Sequence, residues 1–281
     1  PTQLHDIDDA PPMFWTIGQE HMLRRPMVAL VGARNASSLG TRMTKRLAAE
    51  LGEAGYVIVS GLARGVDTAA HLGSIETGTI AVQAGGIDNV YPAENAELAK
   101  QIAEKGLRLA EMPVGMTPQA RHFPARNRII AGLAQAVVVV EAAAKSGSLI
   151  TAKNALDQGR DVLAVPGHPF DARAAGGNML IRDGAILVRS AADVIEVLTP
   201  IAPAAPELPL CPPTISKPRS LRETAKLHTE ILARLGPSPV AEDQLIRDLQ
   251  TAPSSVTPAL MELELDGKII RQAGGLLARV S

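Results

Sequence analysis

The stretch that decides the fold runs from Tyr56 to His71 and reads YVIVSGLARGVDTAAH. Its first four residues are apolar, mostly β-branched and too few for a helix, which is typical of a buried strand. Ser60-Gly61 and Arg64-Gly65 interrupt this pattern before a helical pattern begins at Val66. The loop is suited to an anion, because the first amides of a helix lack intrahelical partners and Arg64 offers a fork of donors for phosphate. For this loop alone, an ordinary βα turn with a solvated arginine is an equal alternative.

Composition narrows the classes of protein to which the chain can belong. The 281 residues carry 28 Lys and Arg against 29 Asp and Glu, so a nucleic-acid site has to be a local basic patch. The single cysteine, Cys211, excludes an intrachain disulfide framework and fits a reducing cytoplasm. No apolar run approaches the length of a membrane span, and no signal-peptide pattern opens the chain. Because the chain starts at Pro1 rather than at a methionine, we expect that a segment preceded it.

Short apolar runs alternate with helical patterns as far as residue 198. The runs lie at 27–31, 56–59, 80–82, 107–110, 136–140 and 162–165. Uninterrupted apolar strands separated by helices predict a parallel sheet covered on both faces, and right-handed crossovers make that sheet doubly wound. The predicted fold class is therefore α/β, with a doubly wound, mostly parallel, Rossmann-like core over residues 1–198 that includes an irregular N-terminal extension with one short helix near 19–24.

The C-terminal part of the chain follows another pattern. Residues 199–220 hold seven prolines and no periodic pattern, which predicts a semi-extended linker. Helical patterns follow at about 224–235, 241–249 and 254–265, and two short β runs lie at 269–271 and 276–280. Three helices and a two-stranded wing predict a small winged-helix domain over residues 221–281.

Positive charge gathers in the loops that follow the strands of the core. In an open α/β sheet, ligands bind beyond the carboxyl ends of the strands. These loops hold the cations Arg34, Arg64, Arg121, Arg126, Arg128 and Lys145, opposed by Asp88, Glu111 and Glu141. Segment 121–128 carries three arginines and a histidine without an acid, whereas a solvated face usually mixes the two signs. Ser146-Gly147-Ser148 at a helix start is typical of a phosphate cradle.

Other residues limit the chemistry of this site. Tyr91, Phe123 and Phe170 fall in the same loops, where each could stack on a base for roughly 1–3 kcal/mol or simply pack the loop. A dinucleotide cofactor needs G-x-G-x-x-G after a strand, but residues 32–37 hold one glycine, and a Walker loop is absent. The histidines are isolated in sequence and no nucleophile–base pair is recognisable. The residues therefore predict no cofactor and no metal, while Asp67 and Glu141 stay possible groups for acid-base chemistry.

Taken together, these motifs resemble the DNA-processing protein A family, also called DprA or Smf. The matching motifs are Val31-Gly32-x-Arg34-x-x-Ser37, Ser60-Gly61-Leu-Ala-Arg64-Gly65-Val-Asp67, Gly86-Ile-Asp88-x-x-Tyr91-Pro92, Phe123-Pro-x-Arg126-Asn127-Arg128, Val140-Glu141, Ser146-Gly147-Ser148-Leu-Ile-Thr151 and Val165-Pro166-Gly167. The resemblance covers about residues 1–190. It implies a non-enzymatic, cytoplasmic homodimer that binds single-stranded DNA, protects incoming strands and loads the recombinase RecA in natural transformation and recombination.

The residue pattern and the resemblance together suggest roles for individual residues. Those expected to contact the strand or its phosphates are Gly32, Arg34, Ser60, Gly61, Arg64, Gly65, Arg121, Phe123, Arg126, Asn127, Arg128, Lys145, Ser146, Gly147, Ser148 and Thr151. Asp67 and Glu141 are expected to organise the pocket rather than to touch phosphate.

Two other functions stay open at this point. A similar pocket could serve a nucleotide-binding enzyme or sensor, although the pattern P-G-G-x-G-T-x-x-E of related nucleoside monophosphate enzymes is absent, since Ile-Asp follows Gly85-Gly86. The chain could also be a transcription regulator with an effector-binding core. Against this, the third helix of the winged helix, 254–266, carries three acids and no Lys or Arg, which would repel duplex DNA. We expect this domain to serve protein contacts or modulation.

Overall fold

The chain forms two compact units, residues 1–202 and residues 203–281. The computed structural model describes residues 2–4, 7, 9–199, 221–236, 238–272 and 274–280. The predicted linker, 199–220, lies outside the described residues apart from Thr199. The predicted domain limits at residues 198 and 221 stay predictions.

Within the described residues, the first unit is built on an eight-stranded sheet. Its strands are β1 (Trp15–Gly18), β2 (Met27–Val31), β3 (Val57–Ser60), β4 (Thr79–Gly86), β5 (Leu107–Met112), β6 (Ala136–Val139), β7 (Asp161–Ala164) and β8 (Ile186–Leu187). They lie in the order β1-β5-β4-β3-β2-β6-β7-β8, and every pair is parallel except β1 with β5. The doubly wound, mostly parallel prediction is confirmed.

Helices cover both faces of this sheet. They are α1 (Ser38–Glu53), α2 (Val66–Ser74), α3 (Ala96–Lys105), α4 (His122–Leu133), α5 (Ser148–Asp157), α6 (Ala175–Arg182) and α7 (Ala191–Leu198). All residues of β2, β3, β4 and β6 are buried. Alternate residues of β2 enter two different apolar clusters, with Met27, Ala29 and Val31 in one and Val28 and Leu30 in the other. This is the two-residue period of a strand that packs on both faces.

The strand order reverses between β2 and β6. From β2 the chain proceeds through β3, β4 and β5 on one side, and then returns to the other side of β2 with β6, β7 and β8. The loops that leave β2 and β6 therefore diverge, and a crevice opens between them at the carboxyl ends of the strands.

The N-terminal extension is more regular than expected. Trp15–Gly18 is a strand that pairs with β5, and Glu20–Arg24 is a 3-10 helix rather than an α-helix. Three of the four residues of β1 are exposed, and four residues are too few to predict a strand from their pattern. Pairing with β5 makes this segment a strand, and β5 is distant in sequence.

The second unit is a winged helix. Its elements are α8 (Leu221–Arg234), β9 (Val240–Ala241), α9 (Glu242–Leu249), α10 (Pro253–Leu265), β10 (Ile269–Gln272) and β11 (Leu276–Arg279). The wing has three strands rather than the expected two, because the two-residue strand β9 pairs with β11. Such a short strand leaves no periodic signal in the sequence. A separate apolar core, which includes Ile231, Leu260 and Leu263, holds the unit together.

Candidate nucleic-acid interface

A cleft of about 630 Å³ lies at the reversal point of the strand order. This volume falls within the roughly 300–1,000 Å³ that is usual for ligand pockets. Its walls come from the loop after β2, from α4, from the start of α5 and from residues 172–173. The expected site residues in its lining are Gly32, Arg34, Asp67, Phe123, Arg126, Asn127, Lys145, Ser146, Gly147, Ser148 and Thr151.

Helix α4 decides which residues of the basic segment 121–128 face the cleft. Phe123, Arg126 and Asn127 line it, at helical spacings of three and four residues that define one face. Arg128 points elsewhere, since its Nη2 donates to Glu111 Oε1 at 2.6 Å and its Nε lies 3.0 Å from Asp9 Oδ2.

Arg121 is also absent from the cleft lining. Its Nε lies 3.5 Å from His122 Nε2. Of the residues in segment 121–128 that are expected to contact the strand, Arg121 and Arg128 do not line the cleft. The physical reason is that consecutive residues of a helix point about 100° apart.

Arg126 is the most deeply buried cation of the cleft, with 6% of its surface exposed. Its Nη1 donates to the carbonyl oxygen of Val82 at 3.2 Å. A Cβ on Gly61 would lie 1.5 Å from this Nη1, so the guanidinium can take its place only because residue 61 is glycine. Burial lowers the pKa of Arg126 to about 10, and the charge of Asp67 opposes that change. Arg126 therefore stays protonated at neutral pH.

Asp67 balances this charge and shapes the loop after β3. Its Oδ2 accepts hydrogen bonds from the amides of Gly61 at 3.1 Å and Ala63 at 3.2 Å. Burial raises the pKa of Asp67, while the neighbouring Arg126 acts in the opposite direction. This geometry fits the organising role expected for Asp67.

Buried polar side chains stabilise the loop after β3 on the side away from the cleft. Leu62 has a positive φ of 57°, and its amide donates to His71 Nε2 at 3.3 Å. His71 Nδ1 lies 2.7 Å from Thr79 Oγ1. Because the Thr79 hydroxyl already donates its proton to the Ile58 carbonyl, Nδ1 must be the donor in this second hydrogen bond. Burial lowers the pKa of His71 to about 3, which keeps this imidazole neutral. Asn95 Nδ2 completes the support by donating to the Leu62 carbonyl at 2.9 Å.

The backbone amides at the start of this loop are engaged within the protein. The amides of Gly61, Leu62 and Ala63 donate to Asp67 and His71. Gly65 serves close packing instead, because its φ is 72° and a Cβ there would lie 2.3 Å from the Ala33 carbonyl oxygen. Cationic and polar side chains therefore dominate the ligand-facing surface.

Ser60 and Glu141 lie outside the cleft lining and serve the scaffold. The Ser60 hydroxyl donates to the Leu30 carbonyl at 2.7 Å and so links β3 to β2. Glu141 accepts hydrogen bonds from the amide of Ser37, at 2.8 Å, and from its hydroxyl. A carboxylate at this position is favourable, because the N-terminus of α1 carries partial positive charge. Glu141 thus orients the loop that carries Arg34.

An aromatic pair separates the cleft from a smaller side cavity. The rings of Tyr91 and Phe123 meet edge to face with centroids 5.6 Å apart, and the Arg34 guanidinium lies 5.3 Å from the Phe123 centroid. The side cavity, about 230 Å³, is lined by these residues together with Gly61 and Arg64. Arg64 is therefore beside the main cleft rather than in it, and it forms an ion pair with Glu94.

The charges that line the cleft do not cancel. Asp67 is the one carboxylate in the lining, against Arg34, Arg126, Lys145 and Arg173. Asp67 balances Arg126, and Arg173 donates to both carboxylate oxygens of Asp171 at 3.0 and 2.9 Å. Arg34 and Lys145 consequently leave an excess of positive charge in the lining. Hydroxyl groups of Ser146, Ser148 and Thr151 lie on the Lys145 wall.

Sequence reasoning missed three residues at this site. Asn35 and Arg173 line the cleft, and Asn95 supports the loop after β3. Arg173 could have been found by extending the loop after β7 beyond Phe170, since that loop ends at the same sheet edge. Asn95 has no local signal, because its acceptors, the carbonyls of residues 62 and 63, are 33 and 32 residues away.

No group of three or more His, Cys, Asp or Glu side chains could hold a metal ion in the part of the chain that the structure describes. In the same part, no helix has both the length and the apolar character that a membrane span requires.

Comparison with known proteins agrees with this architecture. The family model described as "DNA recombination-mediator protein A" matches residues 1–199, and that of the "DprA winged helix domain" matches residues 216–275. The chain is 38% identical to Protein Smf of Escherichia coli over 98% of this chain and 74% of that protein. It is 44% identical to DNA processing protein DprA of Bacillus subtilis over 70% of this chain and 68% of that protein.

Solved structures are similar to the core. The crystal structure of DprA from Streptococcus pneumoniae matches with a TM-score of 0.68 at 44% identity, over 70% of each chain. A structure of DNA processing protein A from Helicobacter pylori, which concerns its single-stranded DNA binding mode, matches with a TM-score of 0.67 at 30% identity, over 70% of this chain and 92% of that one. On the strength of both family models and of these relatives, the chain belongs to the DNA recombination-mediator protein A (DprA/Smf) family.

Proposed function

We propose that the chain binds single-stranded DNA in the cleft of its first unit and mediates recombination by loading RecA onto the strand, without catalysing a reaction. One observation carries this proposal: the unbalanced cations Arg34 and Lys145 line a cleft together with Phe123, whose ring meets that of the exposed Tyr91. Phosphates need the first feature, and unpaired bases can use the second. The single-stranded DNA binding mode described for the Helicobacter pylori relative supports the same assignment.

The aromatic pair favours single strands over duplex DNA as the ligand. Tyr91 is 54% exposed, and Phe123 lines both cavities. Stacking on such rings requires a base whose face is free, and in a duplex both faces are covered by neighbouring base pairs. Arg34 above Phe123 can contact a phosphate while the ring contacts the attached base.

The contacts of the cleft support a binding role rather than catalysis. Asp67, the carboxylate of the lining, is buried and accepts hydrogen bonds from backbone amides. The Ser146 hydroxyl lies 2.7 Å from the Ser148 hydroxyl. Neither the contacts of Asp67 nor this pair of serines provides a nucleophile with a general base. The alternative is a nucleotide-binding enzyme or sensor, and the first experiment distinguishes it from a strand-binding protein.

That experiment is the anisotropy of labelled single-stranded and duplex oligonucleotides across a salt series. We expect single strands to bind far better, with log affinity falling by about 0.7 per phosphate contact for each unit of log salt. Arg34→Ala and Lys145→Ala should each weaken binding and lower this slope. Lys153→Ala is the matched control, since Lys153 is an exposed lysine of α5 that does not line the cleft. If free nucleotides bind and oligonucleotides do not, the strand-binding proposal is wrong.

The remaining parts of the proposal are the partners and the compartment. The family description as a recombination mediator supports a role beside a recombinase. The family resemblance implies RecA as that recombinase, a homodimer and the cytoplasm. Light scattering at several concentrations would measure the dimer. RecA filament formation on strands coated with a single-strand-binding protein would measure loading, and an unchanged rate on adding this chain would contradict it.

A further inference from the structure

The outer face of α10 is apolar where a winged helix that reads DNA would be basic. Pro258, Met261 and Leu265 are exposed and lie three and four residues apart, on one side of the helix. Leu265 is 83% exposed and Met261 is 61% exposed. The opposite side of α10 packs into the core of the second unit. We call these three residues, with Glu262, Glu264 and Asp266 beside them, the acidic–apolar face.

The cations near this face are already engaged by its acids. Lys268 Nζ lies 3.0 Å from Asp266 Oδ2. Arg271 is shared between Glu242, at 2.6 Å, and Glu264, at 3.5 Å. Among the described residues, Glu262 pairs with the half-buried His228, at 3.2 Å. In these described ion pairs, the permanent cations are Lys268 and Arg271, and the carboxylates are Glu242, Glu262, Glu264 and Asp266. The surroundings of the apolar residues therefore carry an excess of negative charge.

This charge decides among the occupants that an exposed apolar stripe could have. Duplex DNA and an anionic membrane would both be repelled, because α10 offers no Lys or Arg to their phosphates. A second copy of the same face would bring acids against acids. A partner with apolar anchors and surrounding positive charge would gain both burial and electrostatic complementarity.

We propose that the acidic–apolar face binds a protein segment that carries lysines or arginines around apolar side chains, such as a basic amphipathic helix. The helix-in-groove mode of recognition uses apolar anchors at the same spacing of three and four residues. The inference is independent of strand binding in the first unit, because no residue of the cleft takes part in it.

The test uses the full chain and a labelled synthetic peptide that places leucines at helical spacing among lysines, compared with the same peptide carrying glutamates. We expect saturable binding of the lysine peptide, measured by anisotropy, and no binding of the glutamate peptide. The double substitution Met261→Lys, Leu265→Lys should weaken binding at least tenfold, or about 1.4 kcal/mol. Leu156→Lys, at an exposed leucine of α5, is the matched control and should leave binding unchanged.

Three results would overturn the proposal. They are failure of the lysine peptide to bind, equal binding by the double variant when its melting curve shows it to be folded, and competition for this face by duplex DNA. Affinity for single strands should be the same in both variants, which separates this test from that of the proposed function.

Discussion

Arg126 occupies the space in which a side chain at Gly61 would begin. A Cβ at residue 61 would lie 1.5 Å from Nη1 and 2.4 Å from Cζ of Arg126. The loop after β3 and helix α4 are therefore fitted to each other at this point, and the fit places a buried cation in the wall of the cleft. The first two predictions concern this relationship.

Gly61→Ala should destabilise the protein by about 1–3 kcal/mol, the usual cost of overpacking a filled site. The guanidinium would have to leave its seat near Asp67, so strand affinity should fall as well. Denaturant unfolding and anisotropy measure the two effects. Gly147→Ala is the control for stability, because a Cβ at Gly147 meets no atom within 4 Å. Equal stability of the two variants would contradict the geometry described for residue 61.

Asp67→Asn should cost about 1–3 kcal/mol of folding free energy, because it removes the charged acceptor of two amide hydrogen bonds and the nearby countercharge of the buried Arg126. The amide oxygen of the new side chain could still accept from Gly61 and Ala63, so the loss reports mainly on charge. Adding Arg126→Met to Asp67→Asn should restore part of the stability. If the double variant is no more stable than Asp67→Asn alone, the two charges are not coupled as the structure indicates.

Glu94→Gln should strengthen single-strand binding about two- to fivefold at low salt, because it releases Arg64 from an exposed ion pair worth at most about 1 kcal/mol. The gain should vanish in the Arg64→Ala background, where there is no guanidinium to release. Glu97→Gln, which removes an equally exposed acid paired with Lys100, is the matched control. A gain that persists without Arg64 would mean that Glu94 acts through its charge alone.

Phe123→Ala should weaken single-strand binding by about 1–3 kcal/mol, the scale of one stacked base. Phe170→Ala should change affinity less than twofold. Phe170 is 94% exposed and its ring meets only the His168 ring among the described contacts, whereas Phe123 contacts both Tyr91 and Arg34. Anisotropy with one oligonucleotide compares the two variants directly. A larger loss from Phe170→Ala would move the stacking site to the loop after β7.

His71 should make the core less stable in mild acid. Its pKa falls from 6.5 to about 3 on burial, so between these values the unfolded chain binds a proton that the folded chain does not. Stability contributed by the neutral imidazole is therefore complete above pH 6.5 and is lost as the pH falls, by about 1 kcal/mol per pH unit. His71→Gln should flatten this dependence in urea melts from pH 6.5 to 4.5. The exposed His21→Gln serves as control and should leave the slope unchanged.

Alternation of apolar runs and helical patterns was enough to predict the core, because strands buried on both faces carry an unmistakable composition. The same criterion could not find β1, whose residues are mostly exposed, or β9, which has two residues. Both become strands only by pairing with β5 and β11. The winged helix could be predicted because three helical patterns are followed by two short β runs.

The sequence by itself determined the fold class, the family and the edge of the sheet at which the cleft opens, because buried strands and glycine loops are local patterns. Only the tertiary structure decided which side chains of the loops at that edge face the cleft. Helical geometry turned Arg126 inward and Arg128 toward Glu111 and Asp9. Asp67 and His71 accept hydrogen bonds from the amides of Gly61 and Leu62, and Glu94 pairs with Arg64. These orientations and contacts depend on residues that are distant along the chain, so no local sequence pattern predicts them.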